Sequence, residues 1–158
     1  MKVIWDAMVT QKMESLALGI GLIKKVEVSS DTKELDSIKN EIFQNIKSHT
    51  TIDEIKDAAV VKAYRTFYWQ SLHIDPTKIR PSGEALARRV LKDQGISIVN
   101  NAVYAINLAS IQTQLSFSGF DLSKVKPPLR VRYAHPQEKF QGIARIVENL
   151  ERFLNYLQ

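Results

Sequence analysis

Apolar residues recur along this chain with two different periods, and the switches between them outline its elements. Leu35, Ile38, Ile42 and Ile46 stand three to four residues apart, which predicts a helix running to about Ser48. Asp31 and Glu34 lie at its start as capping residues. The run 15–28, with Leu16, Leu18, Ile20, Leu22, Ile23, Val26 and Val28 around Gly19 and Gly21, predicts one or two short strands with a glycine-permitted bend. Thr51 and Glu54 form a capping box, in which each side chain satisfies the other's free backbone amide. The helix it opens is expected to run to about Leu72, ahead of Asp75-Pro76, because the residue before proline is pushed out of helical geometry. Ser82 is placed to cap a further helix, with Glu84 favourable against its dipole, Leu86 and Val90 facing inward, and Gly95 as its end.

Ile98 to about Gln114 predicts a buried helix carrying Asn100, Tyr104, Asn107, Ile111 and Gln114 along one period. Buried amides must be hydrogen-bonded, since an unmet polar group costs roughly 1–3 kcal/mol. They either bridge to backbone or line a polar pocket. Pro127-Pro128 leads into Leu129–Ala134, whose alternation suits a half-exposed strand, and the apolar positions from Ile143 to Leu157 predict a terminal helix at about 141–157. These elements make an α+β chain, expected to form a single domain over 1–158.

Composition narrows the chemistry. The chain has 158 residues, 44% of them hydrophobic and 25% charged, which suits a folded domain rather than a disordered one. It has no cysteine, so disulfides, thiolate nucleophiles and cysteine-ligated metals are excluded. His49, His73 and His135 show no metal-ligand spacing, and no Walker loop, zincin motif, nucleophile elbow or calcium loop occurs. Neither a metal nor another cofactor is expected. The longest stretch free of formal charge, Gln94 to Phe120, holds too many amides for a membrane span, and the N-terminus lacks the apolar core of a signal peptide. A cytoplasmic protein without membrane contact is the expectation.

The net charge is +5. It concentrates at Lys62, Arg65, Lys78, Arg80, Arg88, Arg89 and Lys92, against only Asp75 and Glu84, and again at Lys124, Lys126, Arg130 and Arg132, where no acid intervenes. Two acid-poor segments flanking an uncharged one suit a polyanion, although such a run also serves as a plain solvated face. Tyr64, Phe67, Tyr68 and Trp69 beside Arg65 can stack on a base or pack in a core.

The run Asp75-Pro76-Thr77-Lys78-Ile79-Arg80-Pro81-Ser82-Gly83-Glu84-Ala85-Leu86-Ala87-Arg88-Arg89-Val90-Leu91 is the most specific string in the chain. With Ile98 to Val103, Asn107, Ser110, Phe120-Asp121-Leu122, and Arg132-Tyr133-Ala134 followed by Glu138 and Phe140, it resembles the editing module of the phenylalanyl-tRNA synthetase beta subunit. The likeness is to the free-standing, third-and-fourth-domain form, here shortened, with its core motif at 64–122. It implies one compact α+β domain, helices packed on a small mixed or sandwich-like β-sheet. It also implies a pocket for an RNA terminus and hydrolysis, in trans, of the ester joining a wrong amino acid to tRNA. By that resemblance Glu138 would be catalytic, orienting a water or binding an α-ammonium. Asn100, Asn107, Ser118 and Asp121 would bind substrate, while Arg65, Lys78, Arg80, Arg88 and Arg89 would hold RNA or brace acidic neighbours. The partner would be tRNA or aminoacyl-tRNA, and an edge exposed by missing strands would be covered in a homodimer.

The sequence departs from the pattern at several points. Ser116 and Ser118 stand in the segment where synthetase modules carry an editing histidine, Tyr104 replaces an aspartate, and Gln137 replaces the glycine before Glu138. A non-catalytic RNA-binding or protein-interaction module on the same fold, or a binder of free amino acids, therefore stays open beside the deacylase reading.

Overall fold

The computed structural model describes residues 2–13, 16–135, 138, 140–141, 146–147 and 154–155. The chain divides into two compact units, one formed by Met1–Ile20, Tyr68–Ile74 and Phe120–Gln158, the other by Gly21–Phe67 and Asp75–Gly119.

The first unit carries the sheet. Strand β1 (Val3–Trp5) pairs in parallel with β2 (Leu129–Tyr133), Val3 opposite Leu129 and Trp5 opposite Val131. Parallel neighbours cannot be joined by a tight hairpin, and here most of the chain lies between them. Helix α1 (Ala7–Lys12) follows β1 directly, capped by Asp6, whose carboxylate accepts from the Met8 amide at 2.9 Å. It packs on β2, with Val9, Leu129 and Val131 buried. The alternation expected in 129–134 is realised at its start, where Leu129 and Val131 are buried and Arg130 between them is exposed, and the strand ends at Tyr133.

The terminal helix expected over 141–157 is corrected. Among the described residues, β3 (Phe140–Gln141) pairs antiparallel with β4 (Ile146–Val147), and β5 (Leu154–Asn155) pairs antiparallel with β2. Adjacent β-branched residues such as Ile146-Val147 favour extended backbone, and an apolar pattern of this length fits either element. The remaining positions of that expectation, and Gln137, lie outside the described residues. The three-stranded sheet β1-β2-β5 is mixed, and with α1 upon it the unit is α+β.

The second unit is helical. Helices α2 (Asp36–His49), α4 (Ser82–Leu91) and α5 (Asn101–Thr113) pack on one another. Their buried residues, including Ile42, Ile46, Ala87, Val90, Tyr104, Leu108 and Ile111, form one core with Ile55 and with Val61 of α3 (Ala59–Gln70). Asp31 starts the approach to α2 by accepting from the Lys33 amide at 3.0 Å, but a short 3-10 turn precedes the helix. The Thr51–Glu54 capping box forms as read, with Thr51 N donating to Glu54 Oε2 at 3.1 Å and Glu54 N donating to Thr51 Oγ1 at 3.3 Å. It opens a 3-10 turn that buries Ile55, and α3 begins only at Ala59. Ser82 is the first residue of α4 rather than its cap; the cap position is Pro81, already extended at ψ 141°.

Gly83 has a steric reason. A Cβ there would lie 2.4 Å from the Gln114 carbonyl oxygen, so the start of α4 and the end of α5 meet backbone to backbone. The strands expected within 15–28 are absent among the described residues. That stretch finds no pairing partner, and Ile23 stands 80% exposed. It is fastened at its far end by Asn101. The Asn101 amide donates to the Ser29 carbonyl, its Oδ1 accepts from the Ser29 amide and its Nδ2 donates to the Glu27 carbonyl, at 2.8–3.0 Å.

Candidate functional site

Glu84 is the third residue of α4, where unpaired amides at a helix start favour a carboxylate. It shares a face with Ala87 and faces the core with no exposure at all. Arg65, on α3, donates through Nη1 to Oε1 at 2.7 Å and to Oε2 at 3.0 Å. Arg88, one turn further along α4, donates through Nε to Oε1 at 2.7 Å and through Nη1 to the Ile52 carbonyl at 3.0 Å. Arg80, one turn before, brings its Nε to 3.9 Å and remains 43% exposed. Three guanidinium groups therefore surround one carboxylate, and positive charge is left in excess. A carboxylate taken from water without partners would cost several kcal/mol, so Glu84 depends on this pairing.

The expected RNA-binding residues thus separate into groups. Arg65, Arg80 and Arg88 are brought together around Glu84. Arg89 instead donates to the Gly95 and Gln94 carbonyls at 2.9 and 3.4 Å, closing the end of α4. Lys78 is exposed on the surface. Arg88 is turned inward with Glu84, and only a fifth of its side chain reaches solvent. The aromatics divide as well, Tyr64 being half-buried with its hydroxyl accepting from the Ser116 amide at 3.2 Å, and Trp69 being 61% exposed.

The amide candidates have individual positions. Asn100 is the N-cap of α5, its Oδ1 accepting from the Val103 amide at 2.9 Å. That bond uses one lone pair of Oδ1, and Nδ2 makes no hydrogen bond among the described residues. Asn107 is half-buried on α5, and Ser118 is exposed beyond it. Asp121 accepts from the Ser123 hydroxyl at 2.7 Å and its amide at 3.0 Å, and these bonds hold its carboxyl below the usual range. Asn100, Asn107 and Ser118 belong to the helical unit, Asp121 and Glu138 to the unit with the sheet.

Glu138 is held by a partner the sequence reading did not assign. Arg132 on β2 donates through Nη1 to Oε2 and through Nη2 to Oε1, both at 2.9 Å, a bidentate pair. The His135 amide adds a bond to Oε2 at 2.8 Å. The Arg132 hydrogen bonds lower the Glu138 carboxyl to about 2 despite partial burial, which acts in the opposite direction. Such a group is an anion throughout the physiological range. A general base works best with a pKa near the operating pH, so Glu138 is suited to fixed charge and orientation rather than to carrying a proton.

A family model for the B3/4 domain matches residues 63–153, more than half of the chain. The chain belongs to the B3/4 domain family. This is the editing-module family of the phenylalanyl-tRNA synthetase beta subunit, and the match spans both the Glu84 cluster and the Arg132–Glu138 pair. No curated protein matches the chain, and no solved structure does. The α+β architecture, with α1 on a small mixed sheet, agrees with the B3/4 assignment. Among the described residues, no group of three or more His, Cys, Asp or Glu could hold a metal ion, and no helix is long and apolar enough to cross a membrane.

Two features of this B3/4 domain were open to closer sequence reading. Arg88 stands four residues after Glu84, the spacing of helical neighbours, and Glu84 falls on the apolar stripe with Ala87 and Val90. Arg132 and Glu138 carried no comparable local signal, because the turn between them brings them together.

Proposed function

We propose that this B3/4 domain binds the aminoacylated end of a tRNA and hydrolyses, in trans, the ester that joins a wrong amino acid to it. The observation that carries the tRNA association is the arginine cluster around Glu84, within a chain of the editing-module family. One buried carboxylate fixes Arg65 and Arg88, while exposed Arg80 is left to meet a phosphate. In the hydrolysis, water adds to the ester carbonyl, and the free Nδ2 of Asn100 donates to the oxygen that becomes negative. Collapse expels the ribose hydroxyl and releases the amino acid.

A second reading has its own support. Both oxygens of Glu138 are already bonded, to Arg132 and the His135 amide, which suits a structural pair in a non-catalytic RNA-binding module. One experiment separates the two. Purified protein is incubated with a panel of correctly and wrongly acylated tRNAs, and ester loss is compared with the spontaneous rate. Selective loss from a mischarged species supports the deacylase. Salt-sensitive tRNA binding without ester loss supports the binding module, and absence of both refutes the tRNA association.

A further inference from the structure

The helical unit contains a cavity of about 300 Å³ that none of the residues discussed so far as RNA or substrate ligands lines. That volume is at the small end of the range of ligand sites. Its floor is apolar, formed by Ile46, Ala58 and Ile111. Its walls come from the last turns of α2 and α5 and from the capping box at Thr51–Glu54. Among the described residues no lysine or arginine lines it, although basic residues outnumber acidic ones in the chain by 22 to 17.

Two features give the cavity one sign of charge. Among the described residues, Glu54 is the only carboxylate in its lining. The Glu54 Oε2 atom accepts the Thr51 amide at 3.1 Å and the Thr51 hydroxyl at 2.7 Å, whereas Oε1 makes no hydrogen bond among the described residues. The second is that α2 and α5 both end here, and the C-terminal ends of helices carry partial negative charge. His49 at the end of α2 turns its Nδ1 back to the Asn45 carbonyl at 2.8 Å and to Ser48 Oγ at 3.0 Å. Gln112 and Gln114 add amide oxygens at the wall.

We propose that this cavity is a binding site for a small organic monoamine: an ammonium group on an apolar stem, without a carboxylate of its own. Glu54 Oε1 takes the ammonium, and the stem lies on Ile46, Ala58 and Ile111. A free amino acid fits poorly, because its carboxylate would be brought up to Glu54 in a lining with no lysine or arginine among the described residues. The assignment does not rest on tRNA association.

The test uses the full chain and three probes of nearly identical shape: 3-methylbutylammonium, leucine and 4-methylpentanoate. Calorimetric titration should show the amine binding at least about tenfold tighter than leucine, since the amine gains a charge-assisted bond without bringing a second carboxylate up to Glu54. The anion 4-methylpentanoate should not bind. Glu54→Gln removes the charge and keeps the capping box, which glutamine also forms. It should weaken amine binding by about tenfold or more without moving the thermal midpoint. Ala58→Leu fills the floor and should abolish binding by a different route. Leucine binding as tightly as the amine, no amine binding to the wild type, or unchanged amine affinity in Glu54→Gln would each overturn the proposal.

Discussion

Replacing Glu84 by glutamine tests whether Arg65 and Arg88 are held in place by one buried carboxylate. Glutamine keeps the size and one acceptor but removes the charge that Arg65 and Arg88 share at 2.7 Å. Breaking a fully buried pair by removing one partner costs about 3–5 kcal/mol, because the other charge is left without compensation. Here the arginine side chains keep 21% and 20% exposure and recover some hydration, so the lower end applies, about 3 kcal/mol. For a chain of this size each kcal/mol moves the midpoint by about 2–4 °C, giving a fall of about 6–12 °C. Urea denaturation followed by tryptophan fluorescence and circular dichroism measures the loss directly, provided the m-value is unchanged. Asp57→Asn is the control, since it breaks the Lys56–Asp57 contact on the exposed surface and should leave the midpoint where it was. A Glu84→Gln protein within about 1 kcal/mol of wild type would refute the reasoning, because the arginines would then not depend on the carboxylate.

Three further predictions concern the remaining candidates. Glu138→Gln should lose stability relative to wild type at neutral pH. Because the folded carboxyl is lowered from 4.5 to about 2, the stability it contributes is present above 4.5 and disappears as pH falls through about 2, so the two proteins' denaturation curves should converge over that window. At full weight this is roughly 3 kcal/mol, and solvent screening of a partly exposed pair reduces it to about 1–2 kcal/mol. Asn100→Asp keeps the N-cap but loses the Nδ2 donor, so stability should hold while deacylation falls; Asn100→Ala should instead cost about 1 kcal/mol of stability. Arg80→Gln should lower the slope of tRNA affinity against salt by about 1 in the logarithmic plot, without changing the thermal midpoint.

Local devices were the legible part of this chain. The Thr51–Glu54 box and the helical period of 35–46 involve residues a few positions apart and appear where they are predicted, whereas the helix expected from Ile98 begins only at Asn101, behind its Asn100 cap, and leaves Ile98 and Val99 exposed. The helix after the box started late because a buried Ile55 turns the chain first. Glu84 was read as a dipole partner because its neighbours in sequence allow that. Arg65 and the Ile52 carbonyl, which complete the cluster, come from 19 and 36 residues away, respectively, from Glu84 and Arg88. The terminal stretch failed for a similar reason. Whether Leu154 is strand or helix depends on its pairing with Tyr133, and no periodicity encodes a partner that distant. Glu138 was legible as a chemical group but not as an ion pair, because only the course of the turn after β2 delivers it to Arg132.

Asn101 closes an excursion of 72 residues with a single amide group and its own peptide N–H. Ahead of that clasp, Gly19 and Gly21 stand in open space, with nothing within 4 Å of where a side chain would begin. The segment between them and Glu27 is thus a spacer whose length is not set by packing. Inserting residues there lengthens only a loop, and each doubling of a loop costs about 0.6 kcal/mol. A tag, fluorophore peptide or small folded insert placed at Gly21 should be carried without disturbing α5, whose start is registered by its own clasp rather than by the chain that leads to it.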